Sequence, residues 1–522
     1  MAARETPAYA QWVCKRDGVI MIGTTARRAL RGPSAGALCL VACLLVAACA
    51  VGPNFKKPAP PAVADYTAAP VSTTVSSPTD TGGEAQRFVK GADIPADWWI
   101  LFHSQPLNDL IEQSLANNHD LKAAQAALSV ARENVLAQRG VYYPTVTGNL
   151  SATRQKQSEA LAPTPNNNAF EYSLFTPQVS VSYVPDVFGL NRRNTELVKA
   201  QEQAVRFQMI ATYLTLTSNV ANTYIQEASL QAQIDATRQL IDIDSKTVEI
   251  LKYQFAKGYA SRLDVAAQES QLAQAAATLP PLLKQAIQQH DLLAVLTGRF
   301  PSQVPAETVA LSSLKLPEDL PVSLPSALVA QRPDVLQAQA NLHAASAQIG
   351  VAIANRLPNF ELTGNAGSTA LAIGQVFASG NGFWTLGAAA TAPIFDGGTL
   401  LHQERAAKAA YIEASEQYRS TVLTAVQNVA DTLTALDQDA AGLKAAAAAA
   451  DAAKVTLDLS QRQLRDGYAN ALAVLGAEQT YQQARISLVQ AQANRFTDTA
   501  ALFQALGGGW WRTDLAKEAN AN

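Results

Sequence analysis

The 522-residue chain has a formal net charge of −3 and only 16% charged residues. That balance, without any basic block, excludes nucleic acid as a partner, because neutralising phosphates takes clustered Lys and Arg. The four cysteines, at 14, 39, 43 and 49, all fall in the first tenth of the chain. A disulfide framework for the remainder is thereby excluded, and a composition dominated by Ala and Gln fits long helices better than compact enzyme domains.

Arg27, Arg28 and Arg31 precede the apolar run Ala35 to Cys49, so residues 1–48 read as an export signal. The run is too short and too rich in small residues for a spanning helix. Met21 stands where such a signal would begin, which leaves residues 1–20 either an upstream extension or the true start. Val46-Ala-Ala-Cys49 has the form of a lipobox, with Cys49 the residue acylated, palmitate included; Leu40-Val-Ala-Cys43 competes, and both cysteines also suit a plain apolar signal. The Pro-rich segment after Cys49 favours that site and makes residues 49–105 a lipid-anchored tether. Ala50, rather than Asp, supplies no inner-membrane retention signal.

Asp97-Trp-Trp-Ile-Leu-Phe102 leads into a helix that continues through Asn118 to about Gly140, where Tyr142-Tyr-Pro144 breaks it. Strand-like runs are expected at about 145–155 and 176–184, with Pro163 to Asn168 as a loop. From Leu190 to Lys257 there is neither proline nor strand pattern, and Met209, Tyr213, Leu216, Val220 and Thr223 form a seam of alternating four and three spacings. Gly258 ends this helix and Ser261 can cap the next, which returns to Gly298 with a step expected at Pro280-Pro281.

After a connector at 299–330, the order of 106–298 recurs over 331–510, leaving 511–522 as a tail. Arg332-Pro-Asp-Val-Leu-Gln-Ala-Gln-Ala lies over His119-Asp-Leu-Lys-Ala-Ala-Gln-Ala with a separation of 214, and strands are expected at about 360–368 and 383–392. Gly467-Tyr-Ala-Asn copies Gly258-Tyr-Ala-Ser 209 residues on, with Asn470 as the second capping residue. The chain is a tandem duplication of helix, hairpin, long helix, reversal and helix. Each long helix would span roughly 100 Å at 1.5 Å per residue, while four strands cannot close a barrel. Three chains would supply twelve, with Tyr142, Tyr143, Phe175, Phe383 and Trp384 as interfacial girdles; alternatively these aromatics are the core of a small sandwich.

Cys49-Ala-Val-Gly-Pro, Trp98-Trp99 with Phe102, Arg332-Pro-Asp, Pro393-Ile-Phe-Asp-Gly-Gly and Ala505-Leu-Gly-Gly-Gly-Trp510, in that order, resemble the TolC-like outer membrane factors. The resemblance is to the NodT-type efflux lipoproteins of resistance-nodulation-division systems, over nearly the whole mature chain. It implies a mostly α-helical homotrimer with a twelve-stranded transmembrane β-barrel in the outer membrane and an α-helical tunnel across the periplasm. The termini and the connector would form an equatorial belt. It further implies a passive conduit for drugs or toxic compounds, served by a periplasmic adaptor protein and an inner-membrane pump. By position, Gly258, Tyr259, Gly467 and Tyr468 would be the adaptor-docking tip, and Leu263, Asp264 and Leu472 the gate candidates. Where the family often has aspartates after the second turn this chain has Ala473 and Gly476, so apolar closure is expected over a ring of charge.

Asp264 has a second reading, as the partner of Ser261 in a capping box. Asp431 falls off the Val422, Ala425, Val429, Leu436 seam and faces water, lumenal or external. His103, His119, His290, His343 and His402 have no metal-ligand spacing and read as surface residues. Gly507-Gly-Gly509 lacks the Lys-Ser/Thr of a phosphate loop, and neither a cofactor nor catalysis is expected. The alternatives are a like conduit for metal ions or type I protein secretion, or a lipid-anchored coiled-coil structural protein without a pore.

Overall fold

A computed structural model of the chain describes residues 50–68, 72–156, 171–303, 309–469 and 471–513. The export signal, Cys49, the Pro163–Asn168 loop and Asn470 lie outside the described residues. The two longest helices are α3 (Leu190–Ala256) and α7 (Thr399–Arg465), each of 67 residues. Both follow a strand across a tight corner whose first backbone N–H groups would otherwise be unpaired, and in both an Asp supplies the acceptor. Asp186 accepts from Asn191 N at 2.8 Å and Arg192 N at 2.9 Å, and Asp396 accepts from Gly398 N at 2.9 Å and Leu400 N at 2.7 Å.

Along α3 pack α1 (Gln105–Asn117), α2 (His119–Arg139) and α4 (Arg262–Leu296). Asn118 separates the first two, its side chain accepting from Leu121 N at 3.0 Å to start the second. Helix α4 runs without a step through Pro280 and Pro281, contrary to the sequence expectation. Both prolines sit on its exposed face, so the carbonyls they leave unpaired reach water, and packing of the opposite face on α3 outweighs a cost of about 3 kcal/mol per proline. In the second half, α5 (Pro325–Gln331) leads into α6 (Pro333–Ala354), and α8 (Ala471–Ala505) follows the second turn. Both α6 and α8 pack on α7 and on α3, so α3 is enclosed by both repeats while α7 is packed along one side only. The burial pattern agrees: along the α3 seam Met209, Leu216, Val220 and Thr223 are buried and Tyr213 half-buried, with Ile210, Leu214, Ala221 and Tyr224 buried beside them. On α7 a narrow stripe of Ala425, Val429, Leu436, Leu443 and Ala450 is buried, with Leu423 71% and Val455 58% exposed behind it.

The main hydrophobic core lies at mid-length of α3, where the termini and the connector converge. Trp98 stacks on Phe503 at 5.3 Å and meets Phe102 edge-on at 6.2 Å, while Phe102 tilts against Phe496 at 6.3 Å. Strand β1 (Arg87–Lys90) pairs in parallel with β4 (Asp319–Val322) across this region. The buried Arg495 guanidinium donates to the carbonyls of Leu436 at 2.9 Å, Glu84 at 2.9 Å and Gly82 at 3.3 Å, fastening the N-terminal segment to α7 and α8. The expectation that residues 49–105 form an extended tether is therefore corrected for the described part. Gln86 is fully buried and donates to Thr499 Oγ1 at 3.1 Å, and Arg193 holds Val51 O at 2.9 Å and Asn54 Oδ1 at 3.0 Å. Low periodicity in that stretch reflects irregular backbone packed against helices, not free chain.

Four strands, β2 (Thr145–Lys156), β3 (Glu171–Tyr183), β5 (Asn359–Ser368) and β6 (Gly382–Thr391), form one antiparallel sheet in that order. The β3–β5 pairing, Tyr183 opposite Leu362 through Gln178 opposite Gly367, joins the two repeats edge to edge. Strand β3 begins five residues before the expected 176. Pro177 marks a boundary by composition, yet it lies just past the last β5 pair, where its missing N–H breaks no bond to that neighbour.

Candidate functional site

Residues directly opposite each other in a sheet share a face. One face of this sheet carries, row by row, Tyr183, Leu362 and Ala388; then Val146, Val181, Gly364 and Leu386; then Gly148, Val179, Ala366 and Trp384; then Leu150 with Pro177. The other carries Thr145, Ser182, Thr363 and Gly387; then Thr147, Ser180, Asn365 and Thr385; then Asn149, Gln178, Gly367 and Phe383. No residue of these four strands is buried, with Leu150 at 73%, Trp384 at 74% and Leu386 at 77% exposure. The sandwich-core alternative falls on that point. Phe383, on the polar face, drops out of the proposed aromatic girdle, while Trp384 and Phe175 stay on the apolar one.

An uncovered apolar face backed by an uncovered polar face is what lipid on one side and water on the other demand, and 10 to 13 residues per strand suffice to cross a bilayer obliquely. Among the described residues no helix is long and apolar enough to cross a membrane. The sheet keeps two open edges, on β2 and β6.

At the opposite end of the long helices the two turns have one geometry. Gly258 adopts φ +79° and Gly467 φ +80°, with Tyr259 N donating to Gln254 O and Tyr468 N to Gln463 O, both at 2.8 Å. This is a left-handed helix stop closed by a bond back over the last turn, which a Cβ at either glycine would strain. The turns lie side by side across a cleft of about 480 Å³ lined by Gln254, Tyr259, Asp264, Arg465, Asp466 and Gly467, among others. Tyr259 at 83%, Leu263 at 77%, Tyr468 at 86% and Leu472 at 67% exposure give the tip four uncovered apolar side chains.

Asp264 completes a capping box: its backbone N–H donates to Ser261 Oγ at 3.1 Å and its carboxylate accepts from Ser261 N at 2.8 Å and Ser261 Oγ at 2.7 Å. The Ser261 hydroxyl, then the Ser261 backbone N–H, hold the carboxyl below the usual range. Asp264 both caps α4 and lines the cleft, so its two sequence readings are compatible. The second turn has an acid as well, placed before the glycine rather than after it: Asp466 stands where the first repeat has Lys257. Comparing the residues on either side of the two aligned glycines would have found it.

The histidine reading is corrected at two positions. His343 stacks on Phe55 at 4.3 Å and bonds Glu196 at 2.8 Å, and His290 lies 3.3 Å from Glu227, both only partly exposed. Among the described residues no cluster of His, Cys, Asp and Glu is arranged to hold a metal ion. Asp431 is exposed on α7, as its position off the seam requires.

Helical hairpins about 100 Å long, joined end-on to a sheet with one lipid-compatible and one water-compatible face, define a membrane channel protein with a long extramembrane extension. The comparisons agree. The outer membrane efflux protein family matches residues 110–299 and 324–508, and the chain belongs to that family. It is 29% identical over 450 residues to the pyoverdine export outer membrane protein OpmQ of Pseudomonas putida, covering 84% of this chain and 94% of the relative. With the toluene efflux pump outer membrane protein TtgC of Pseudomonas putida it shares 29% identity over 479 residues, 90% of this chain and 95% of the relative. Among solved structures it resembles the outer-membrane channel OprN, with a TM-score of 0.79 at 26% identity over 88% of this chain and 100% of the other. The protein is an outer membrane efflux channel that extends into the periplasm, a transport conduit.

Proposed function

We propose that three copies close a twelve-stranded barrel by pairing the free edge of β2 in one protomer with the free edge of β6 in the next. The observation that carries this reading is the two-faced sheet with its two open edges. Edge strands of 12 and 10 residues with unpaired backbone groups cannot face lipid, so a membrane sheet of four strands has to find partners. The same association covers the exposed side of α7, which follows β6, with the next protomer's α2, which precedes β2. The three helical bodies then enclose a tunnel.

The adaptor docks at the tip, on Gly258, Tyr259, Gly467 and Tyr468, and the pump is an inner-membrane resistance-nodulation-division transporter. Their support is the exposed apolar character of a turn pair with no cover of its own. Leu472, with Leu263, closes the tunnel. The transported compounds are drugs and other toxic organic molecules. Relatives named for cargoes as unlike as pyoverdine and toluene fit a wide polar conduit whose selectivity belongs to the pump.

Cys49 carries an acyl anchor. Val51 N donates to Phe188 O at 3.1 Å, beside the corner between β3 and α3, so the chain leaves the body level with the membrane-facing sheet. Residues 51–54, held by Arg193, fix that exit. Native mass spectrometry of the protein extracted from outer membranes is expected to give three chains, each lighter by the export signal and heavier by acyl chains on Cys49. Any other copy number refutes the barrel, and an unmodified N-terminal Cys49 refutes the anchor alone.

A further inference from the structure

Some 14 residues before Gly258 and 11 beyond Gly467, roughly 20 Å back from the tip at 1.5 Å per residue, two carboxyl groups meet between the repeats. Asp244 on α3 and Glu478 on α8 are both fully buried. Glu478 accepts one hydrogen bond on each oxygen, from the Thr247 hydroxyl of α3 at 3.1 Å and from the Gln268 amide of α4 at 2.9 Å. Among the described residues neither oxygen of Asp244 has a hydrogen-bond donor. Two ionised carboxylates are acceptors only and cannot bond each other, whereas a proton on one of them lets the pair bond directly.

Among the described residues the charged groups of the same elements are engaged or set apart: Lys246 pairs with Asp242 at the surface at 2.5 Å, and Arg485 of α8 lines a cavity with Leu240 and Ile243 of α3. Thr247 comes from α3, and Gln268 and Gln271 from α4, the latter accepting from Gln479 of α8 at 3.0 Å. The nearby Lys252–Glu269 ion pair is exposed and self-contained at 2.8 Å. Burial first, and then the charge and hydrogen bond of Glu478, push the Asp244 carboxyl up to about 7.

We propose that Asp244 and Glu478 form a proton-held latch that clamps α8 of the second repeat onto α3 and α4 of the first, just behind the tip. One shared proton closes it; without that proton two desolvated charges face each other and the joint between the hairpins loosens. Because the closed joint holds a proton that the open joint releases, closure is favoured below about pH 7. That advantage falls by up to tenfold per pH unit, for one proton, as the pH rises from the ordinary aspartate value of 3.8 towards about 7, and it is spent above that. This extends the reading of the tip as the channel's moving end. A second acid, Asp498 beside Asp439, is also raised to about 7, by burial first and then by the hydrogen bond and charge of Asp439. It faces Arg495 and lies within one hairpin, α7 with α8, so its protonation cannot join the two repeats.

Hydrogen exchange on the intact full-length assembly in detergent, corrected for intrinsic rates, tests the latch. Peptides covering 240–250 and 474–485 are expected to lose protection by tenfold or more between pH 5 and pH 8, with little further change up to pH 9. Asp244→Asn, whose amide donates to Glu478 without a proton to lose, keeps them protected throughout. Asp498→Asn leaves the wild-type response in place. Equal protection of the wild type at pH 5 and pH 8, or an Asp244→Asn response like the wild type's, overturns the proposal. Should Asp244→Asn fail to assemble, Glu478→Gln has to abolish the same response, and its failure to do so counts equally against the latch. Conductance recorded over the same range separates the two readings: exchange that changes while conductance does not leaves the latch standing and removes the tip as gate.

Discussion

Leu386→Arg is expected to abolish accumulation of the assembled protein in the outer membrane, whereas Thr385→Arg, one residue away, is expected to leave assembly intact. Leu386 lies in the row of Val146, Val181 and Gly364 on the apolar face, 77% exposed in the protomer. An arginine there meets hydrocarbon at a cost of about 2–4 kcal/mol near the bilayer midplane, and a trimer bears it three times, about 6–12 kcal/mol. Thr385 lies in the row of Thr147, Ser180 and Asn365, on the polar face, where a guanidinium meets water. The amount of trimer surviving unheated SDS electrophoresis of outer membranes measures the contrast. Equal loss for both variants would show that the faces are not divided between lipid and water.

Leu472→Ser is expected to raise the open probability of single channels in planar bilayers from nearly closed to predominantly open. Leu472 is 67% exposed in the protomer, so any cover it gains in a closed tip comes from other copies. Burying one Leu side chain contributes about 1.5–3 kcal/mol, so three removed together cost the closed state about 5–9 kcal/mol, against 1.4 kcal/mol per tenfold change in an equilibrium. Leu263→Ser, on the first repeat, is the comparison. An unchanged Leu472→Ser channel with an opened Leu263→Ser channel would move the constriction to α4. Neither acid at the tip replaces this apolar closure: Asp264 is engaged with Ser261, and Asp466 stands on the far side of Gly467 from Leu472.

The duplication and the four strands were legible because each rests on local signals: glycine at the left-handed stop, Pro before each first strand, and two-residue alternation in Val179, Val181 and Tyr183. The division of the sheet into lipid and water faces needed the register, which alternation in single strands does not supply. The docking of residues 50–90 was hidden because irregular backbone has no period; its anchors are single side chains such as Gln86 and Arg193, whose partners lie more than 100 residues away. Pro280-Pro281 misled because a local breaking signal met a helix held by packing along α3.

The acid latch was the least legible. Glu478 aligns at 209 with Glu269, and the two have opposite environments: one fully buried against Asp244, the other paired with Lys252 at the surface. Asp244 aligns with Ala453 and has no copy at all. Duplicated halves are alike in backbone, yet in one chain α3 is enclosed and α7 is not, so matched residues do different work.

The central claim is that the polar sheet face lines a water-filled pore made by three chains. Thr385→Cys, recorded as single channels while a bulky water-soluble thiol reagent is added, tests it directly; beyond the export signal the native chain has only Cys49 as a thiol position. The account predicts that current falls in three discrete steps, one per protomer, and that Leu386→Cys channels show none. Block through the Leu386→Cys position, no block through Thr385→Cys, or a number of steps other than three would contradict it.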